Sequence, residues 1–212
     1  MKRLFAIATV FILALSVLTA CGGSGNNGDA LLGNPESTSA QESSNALPSN
    51  SESDAIIRPS ELITLEDAER ILGMSMHVIE GYLDNADPDG FYLTEYITSG
   101  EQWETLSITI KQDASSLIET IKLSYENNTD AIPIEEIEDW AFVTGNSDGM
   151  SKHLYIAYGD CYIDIELVGD TNNDGRSLAE DAAWKIEKLT EAGKLAVERL
   201  GAMIKNSTSA SS

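Results

Sequence analysis

Apolar residues recur along residues 58–205 with two periods, and the alternation of these periods predicts the order of elements. Residues 65–72 follow Thr64 and precede Gly73, which is the pattern of a capped short helix. Every-second-residue alternation predicts strands at 74–83, 91–98 and 103–111. A helical period then predicts a helix at 114–127, with Asp113 as its cap.

The second half of the domain repeats this order. Strands are predicted at 140–144, 153–158 and 161–168, and Gly159-Asp160 between the last two predicts a two-residue hairpin. A long closing helix is predicted from Leu178 to about Ile204, and its expected core face is Ala182, Ile186, Leu189, Ala196, Leu200 and Met203. The resulting order α-βββ-α-βββ-α predicts an α+β domain, with a mostly antiparallel sheet of about six strands covered by helices. A degenerate duplication stays open, since no clear sequence repeat relates the halves.

Composition limits the class of partner. The chain carries 13 Lys and Arg against 35 Asp and Glu, a formal net charge of −22. Such a surface repels phosphate backbones, so nucleic acid is excluded as a partner. It favours cationic partners only weakly, because acidity is also the usual route to solubility.

Residues outside the domain have the composition of disordered chain. The stretch 21–57 is rich in Gly, Ser and Asn and nearly lacks aromatic residues, which predicts a flexible tether. A coil of this length would span roughly 30–36 Å. Residues 206–212 predict a disordered tail.

The amino-terminal segment predicts where the protein is located. Lys2 and Arg3 precede an apolar run that is slightly short of the roughly 20 residues of a membrane span, and Leu18-Thr19-Ala20-Cys21 follows. This pattern resembles a bacterial lipobox. The resemblance implies that residues 1–20 are a lipoprotein signal peptide and that Cys21 is lipidated, which holds the protein at the extracytoplasmic face of the cell membrane. Plain secretion and a retained membrane span are the alternatives.

Four short segments carry a second resemblance. They are ELITLEDA (61–68) with LG (72–73), DWAF (139–142), LYIAYGD (154–160) and LAVERL (195–200). Together they resemble small extracytoplasmic lipoproteins of Gram-positive bacteria, some of which have folds likened to the PsbP type. The resemblance implies a surface domain and names no reaction. The chain departs from that pattern at IEDWA (137–141), where a glycine-led GDEA is usual.

One loop resembles a calcium site of the EF-hand or dockerin kind. Its oxygen ligands at positions one, three, five and twelve would be Asp170, Asn172, Asp174 and Asp181, with Gly175 at position six. Ser177 and Glu180 also form a capping box, which would start the following helix early and turn Asp181 away. A turn without metal is therefore the alternative interpretation.

The other chemically versatile residues predict structural roles. Cys161 alternates with Ile163 and Ile165, which predicts a small buried hydrophobe, and no intramolecular disulfide can form if Cys21 is lipidated. His77 and His153 are the only histidines, and both fall in predicted strands. A catalytic pair would need them to converge. Phosphate-loop, metalloprotease and nucleophile-elbow motifs are absent from the sequence.

These observations together favour a lipid-anchored cell-surface lipoprotein that acts as a non-enzymatic binding or interaction module. Its partner would be an unknown protein or small molecule, and no cofactor is expected apart from weak calcium. A calcium-binding surface domain using 170–181 and an unrecognised surface hydrolase are the alternatives. A concave, aromatic-lined pocket on the sheet is the structural feature that a binding module would need.

Overall fold

Four helices and eight strands make up the part of the chain that this computed structural model describes, namely residues 56–100, 103–137, 140–145, 149–169 and 175–210. The helices are α1 (Pro59–Leu62), α2 (Leu65–Leu72), α3 (Ser115–Glu126) and α4 (Leu178–Ala210). The strands are β1 (Met76–Val78), β2 (Asn85–Ala86), β3 (Tyr92–Thr98), β4 (Glu104–Lys111), β5 (Ile132–Pro133), β6 (Trp140–Gly145), β7 (Ser151–Tyr158) and β8 (Cys161–Gly169).

The strands form one antiparallel sheet in the order β1-β3-β4-β8-β7-β6-β5, and β2 pairs with β3 beside this path. The α+β class and the mostly antiparallel sheet are confirmed. Each half of the chain contributes a meander, and the two meanders meet where β4 pairs with β8.

The strand count and order differ in detail from the prediction of about six strands in α-βββ-α-βββ-α. The strand expected over 74–83 ends at Val78, because a turn follows in which the Tyr82 N–H donates to the Ile79 carbonyl at 3.0 Å and Gly81 takes a positive φ of 83°. The short strand β2 follows this turn. At the opposite edge, the two-residue strand β5 pairs with β6, and the Ile134 N–H that follows it donates to the Ala141 carbonyl at 3.0 Å.

Alternate residues of the strands share a core face, against which α1, α2 and α4 pack. Cys161 lies on this face with Ile163 and Ile165, so its prediction as a buried hydrophobe is confirmed. On the described part of α4 the buried positions are Asp181, Lys185, Leu189, Ala192, Gly193, Ala196, Leu200 and Gly201. Ala182, Ile186 and Met203 of the expected stripe are only half-buried, because the buried stripe runs along a neighbouring face of the helix.

Two helix starts have the caps that the sequence predicts. The Thr64 hydroxyl accepts from the Asp67 N–H at 3.2 Å, and Gly73 takes the left-handed conformation after α2. Ser177 and Glu180 form the expected box at the start of α4, with the Ser177 hydroxyl donating to Glu180 Oε2 at 2.7 Å.

The carboxyl-terminal tail and the start of α3 correct the sequence interpretation. Helix α4 continues to Ala210, where the disordered stub 206–212 was predicted. Each added residue of a helix gains a backbone hydrogen bond, and the Ser207 hydroxyl donates to the Ile204 carbonyl at 2.8 Å. At α3, Asp113 has a φ of 53° and the capping position falls on Ala114, which offers no side-chain cap.

Helix α3 lies on the other face of the sheet. Ala114 and Ile118 pack there against Ala157 and Tyr162, which face away from α4. Helix α3 covers only one end of this face, so the part of the face beside the helix is left as a surface of the sheet.

Candidate functional site

The strand register aligns a polar row across the face of the sheet that carries α3. Its members lie directly opposite one another on β3, β4, β8, β7 and β6. They are Glu95, Ser107, Glu166, His153 and Thr144. The Ser107 hydroxyl donates to Glu95 Oε1 at 3.1 Å, which links the first two members of the row.

His153 is held between two carboxylates of β8. Its Nδ1 lies 3.2 Å from Asp164 Oδ1, and its Nε2 lies 3.1 Å from Glu166 Oε1. Hydrogen bonds to Asp164 and Glu166 outweigh the cost of burial and raise the pKa of His153 to about 10. Burial raises the pKa of Asp164, against the opposing effect of His153. At neutral pH His153 is therefore an imidazolium that donates from both nitrogens.

An aromatic cluster continues from His153 toward α3. The His153 and Tyr155 rings stack with centroids 5.5 Å apart and planes 4° apart. Phe142 lies 5.1 Å from Tyr155, and Tyr125 of α3 lies 4.6 Å from Phe142. These rings join the sheet to the helix, and edge and tilted contacts of this kind stabilise aromatic clusters.

A cavity of about 320 Å³ opens between α3 and strands β6, β7 and β8, and it is called the aromatic cavity below. Its described lining consists of Ile121, Ser124, Tyr125, Asn128, Phe142, Thr144, Tyr155 and Tyr162. Burial, followed by the charge of Asp164, raises the pKa of Tyr155 to about 12, and the same two causes raise the pKa of Tyr162. Both phenols are therefore neutral hydroxyl groups at physiological pH.

His77 does not converge with His153. It is exposed on the edge strand β1, where its Nδ1 lies 3.0 Å from the Ser99 hydroxyl. Four strand spacings separate β1 from β7, roughly 19 Å at about 4.8 Å each. The two histidines therefore belong to separate environments.

Cys161 has the environment of an unreactive thiol. Its side chain is buried in the core, and its pKa is raised to about 12 by burial and then by the neighbouring charge of Asp160. The thiolate is the nucleophilic form of cysteine. A nucleophilic role for Cys161 at neutral pH is therefore disfavoured.

The structure describes only one ligand of the predicted calcium loop. Asp170, Asn172 and Asp174 lie outside the described residues. Asp181 lies within them, and its buried carboxylate is 2.9 Å from Lys185 Nζ. Within the described ranges no three His, Cys, Asp or Glu side chains are grouped as a metal site would require. A calcium ion in this loop would have to compete with Lys185 for Asp181.

The predicted lipidation site Cys21, the predicted signal peptide and the predicted tether up to residue 55 also lie outside the described residues. Among the helices that the structure does describe, none combines the length and apolar character needed to cross a bilayer. No protein-family model, curated protein or solved structure matches this chain.

The sequence interpretation missed the polar row, although its register was accessible. The predicted Gly159-Asp160 turn places Tyr158 opposite Cys161, and counting back along both strands pairs His153 with Glu166. The alternation of β8 then puts Asp164 beside them. The contribution of Tyr125 had no such signal, because it depends on how α3 crosses the sheet.

Proposed function

We propose that this chain is a lipid-anchored cell-surface lipoprotein whose domain binds a ligand without chemical turnover, and that the aromatic cavity holds the ligand. The observation that carries the proposal is the cavity itself. It lies on the face of the sheet opposite the core helices and combines aromatic walls with a few polar groups. Small-molecule sites have this composition, with apolar walls for affinity and sparse polar groups for orientation.

The protonation state of His153, whose ring stacks on the cavity-lining Tyr155, favours binding over catalysis. A general base must be deprotonated near the working pH, whereas His153 is held as an imidazolium by Asp164 and Glu166. The exposed His77–Ser99 pair lies at the sheet edge, and neither residue lines the aromatic cavity. These environments support a non-enzymatic role over the hydrolase alternative.

The anchoring part of the proposal rests on the lipobox resemblance at residues 18–21. Two acyl chains on Cys21 would make membrane attachment stable where one would be marginal. The tether would let the acidic domain stand away from the bilayer surface that holds it. Mass spectrometry of the native product tests this: we expect loss of residues 1–20 and a diacylglycerol mass on Cys21. An intact leader would contradict it.

A fragment-library screen by saturation-transfer NMR on the full chain tests the binding function. Ser124 is exposed at the cavity wall, so Ser124→Trp fills the space and should abolish the signal of every cavity ligand. Ser116→Trp is the matched control, because it adds the same bulk to an exposed position of α3 outside the cavity. Fragments that bind both variants equally, with none lost by Ser124→Trp, would refute a ligand site here.

A further inference from the structure

We infer that the aromatic cavity takes an uncharged, hydroxyl-rich ring compound, a carbohydrate unit, and this inference rests on the binding function proposed above. Three properties of the cavity support it. They are the hydrogen-bonding character of its lining, the engagement of the surrounding charges, and its size.

The polar groups of the lining both donate and accept hydrogen bonds. The cavity is lined by the hydroxyls of Ser124 and Thr144, the amide of Asn128 and the phenols of Tyr125, Tyr155 and Tyr162. Thr144 and Tyr155 are hydrogen-bonded to each other, and Asn128 Oδ1 accepts from the Asp130 N–H at 2.9 Å. Each of these groups keeps further donor or acceptor capacity for a ligand. An ammonium ligand only donates and is matched by carboxylates, whereas a carboxylate or phosphate ligand only accepts and is matched by Lys or Arg. Among the described lining residues none carries a charge. Groups of this mixed kind are complementary to ligand hydroxyls, which also donate and accept.

Three charged side chains near the cavity are engaged with other groups. Asp164 and Glu166 both contact His153, so the carboxylates nearest the aromatic cluster already have a cationic partner. The Lys122 ammonium lies 5.5 Å from the centre of the Trp140 ring, which is not part of the lining. A charged ligand would therefore have to disrupt existing pairs, whereas a neutral ligand would leave them intact.

The aromatic rings and the volume of the cavity suit a ligand with a single small ring. The Tyr155 and Tyr162 planes are 21° apart with centroids 6.3 Å apart, and Phe142 stands beside Tyr155. Phe142 and Tyr162 are buried in this cluster, so the half-buried rings of Tyr125 and Tyr155 offer the apolar surface on which the C–H face of a sugar ring would pack. A volume of about 320 Å³ is near the lower end of ligand pockets, which run from roughly 300 to 1,000 Å³. An apolar aromatic compound would match the rings but leave the polar groups unpaired, at a cost.

Saturation-transfer NMR on the full chain, with defined probes, tests the inference. The probes are glucose, N-acetylglucosamine, choline, acetate and phenol. We expect signals from the two sugars only, lost in Ser124→Trp and retained in Ser116→Trp. Thr144→Val removes one hydroxyl while keeping the side-chain shape, and it should weaken sugar binding about two- to tenfold. Thermal unfolding of each variant verifies that it is folded.

Different contrary results would overturn the carbohydrate assignment and the binding function. Choline, acetate or phenol binding in preference to the sugars, and lost in Ser124→Trp, would overturn the carbohydrate assignment while leaving the cavity as a binding site. Sugar signals unchanged in Ser124→Trp would also overturn the assignment. Failure of every probe, together with a fragment screen that finds no ligand sensitive to Ser124→Trp, would refute the binding function itself.

Discussion

Replacing Lys185 with methionine is expected to destabilise the domain severely. The Lys185 side chain is 0% exposed, and its ammonium ion-pairs with the buried carboxylate of Asp181 at 2.9 Å. The same ammonium donates to the carbonyl oxygens of Gly149 and Met150 at 2.9 Å and of Gly169 at 3.2 Å. One side chain on α4 thus ties the helix start to the ends of strands β7 and β8.

The expected loss follows from what Lys185→Met leaves behind. Removing one partner of a buried ion pair costs about 3–5 kcal/mol, because the other charge remains buried and uncompensated. The contact between Arg176 and Asp181 is too long, at 3.8 Å, to replace the lost ammonium fully. Since domains are stable by about 5–15 kcal/mol, the variant would retain a fraction of its stability or unfold at 37 °C.

Urea unfolding followed by circular dichroism at pH 7 measures this loss. Lys188→Met is the matched control: it lies on the same helix and pairs only with exposed glutamates, so it should cost under about 1 kcal/mol. Adding Asp181→Leu to Lys185→Met should recover part of the lost stability, because the double variant no longer buries an unpaired carboxylate. The recovery should be incomplete, because the three carbonyl oxygens still lack the Lys185 donor. Equal stability of Lys185→Met and Lys188→Met would refute the reasoning.

Three further outcomes are expected. Burial raises the pKa of Asp67, but hydrogen bonds from Arg199 and Thr64 outweigh this effect and lower the pKa from 3.8 to about 2. The free energy of unfolding, measured by urea titration, should therefore fall by about 2 kcal/mol as the pH drops from 3.8 through 2, and Asp67→Asn should remove this dependence on pH. The pKa of His153 is raised from 6.5 to about 10, so the stability that its ion pairs contribute is complete below pH 6.5 and is lost as the pH rises through 10. His153→Gln should remove this loss at alkaline pH, and a plot of unfolding free energy against pH that is unchanged in the variant would contradict the pairing. Calorimetric titration with millimolar calcium should give no heat because Asp181 is held by Lys185, and a saturable heat abolished by Asp174→Ala would instead favour the site at 170–181.

Local signals in the sequence predicted most of the fold. The capping box at Thr64, the box at Ser177 and the Gly159-Asp160 hairpin all depend on residues within a few positions of one another, and all are present. The break after Val78 was not predicted, because it depends on a turn that joins Tyr82 to Ile79 inside a stretch whose alternation predicts a continuous strand.

The candidate site was harder to predict because it is assembled from distant segments. Tyr125 on α3 meets Phe142 on β6 only after the helix has packed across the sheet. Asp181 was interpreted as a metal ligand because it falls at position twelve of the loop that resembles a calcium site, and its buried pairing with Lys185 had no apolar pattern to indicate it. A charged residue at helical spacing within a buried stripe is the signal that would have indicated an ion pair.

The junction of β4 and β8 has a consequence for biogenesis. Residues paired across it are between 51 and 65 positions apart along the chain, from Lys111 with Tyr162 to Glu104 with Gly169. While the polypeptide is still emerging, β4 is therefore a bare edge with unsatisfied backbone groups, open to pairing with another molecule. Closure has to wait for almost the whole chain, which makes assembly slow and leaves a nascent product in need of protection until its last strand arrives.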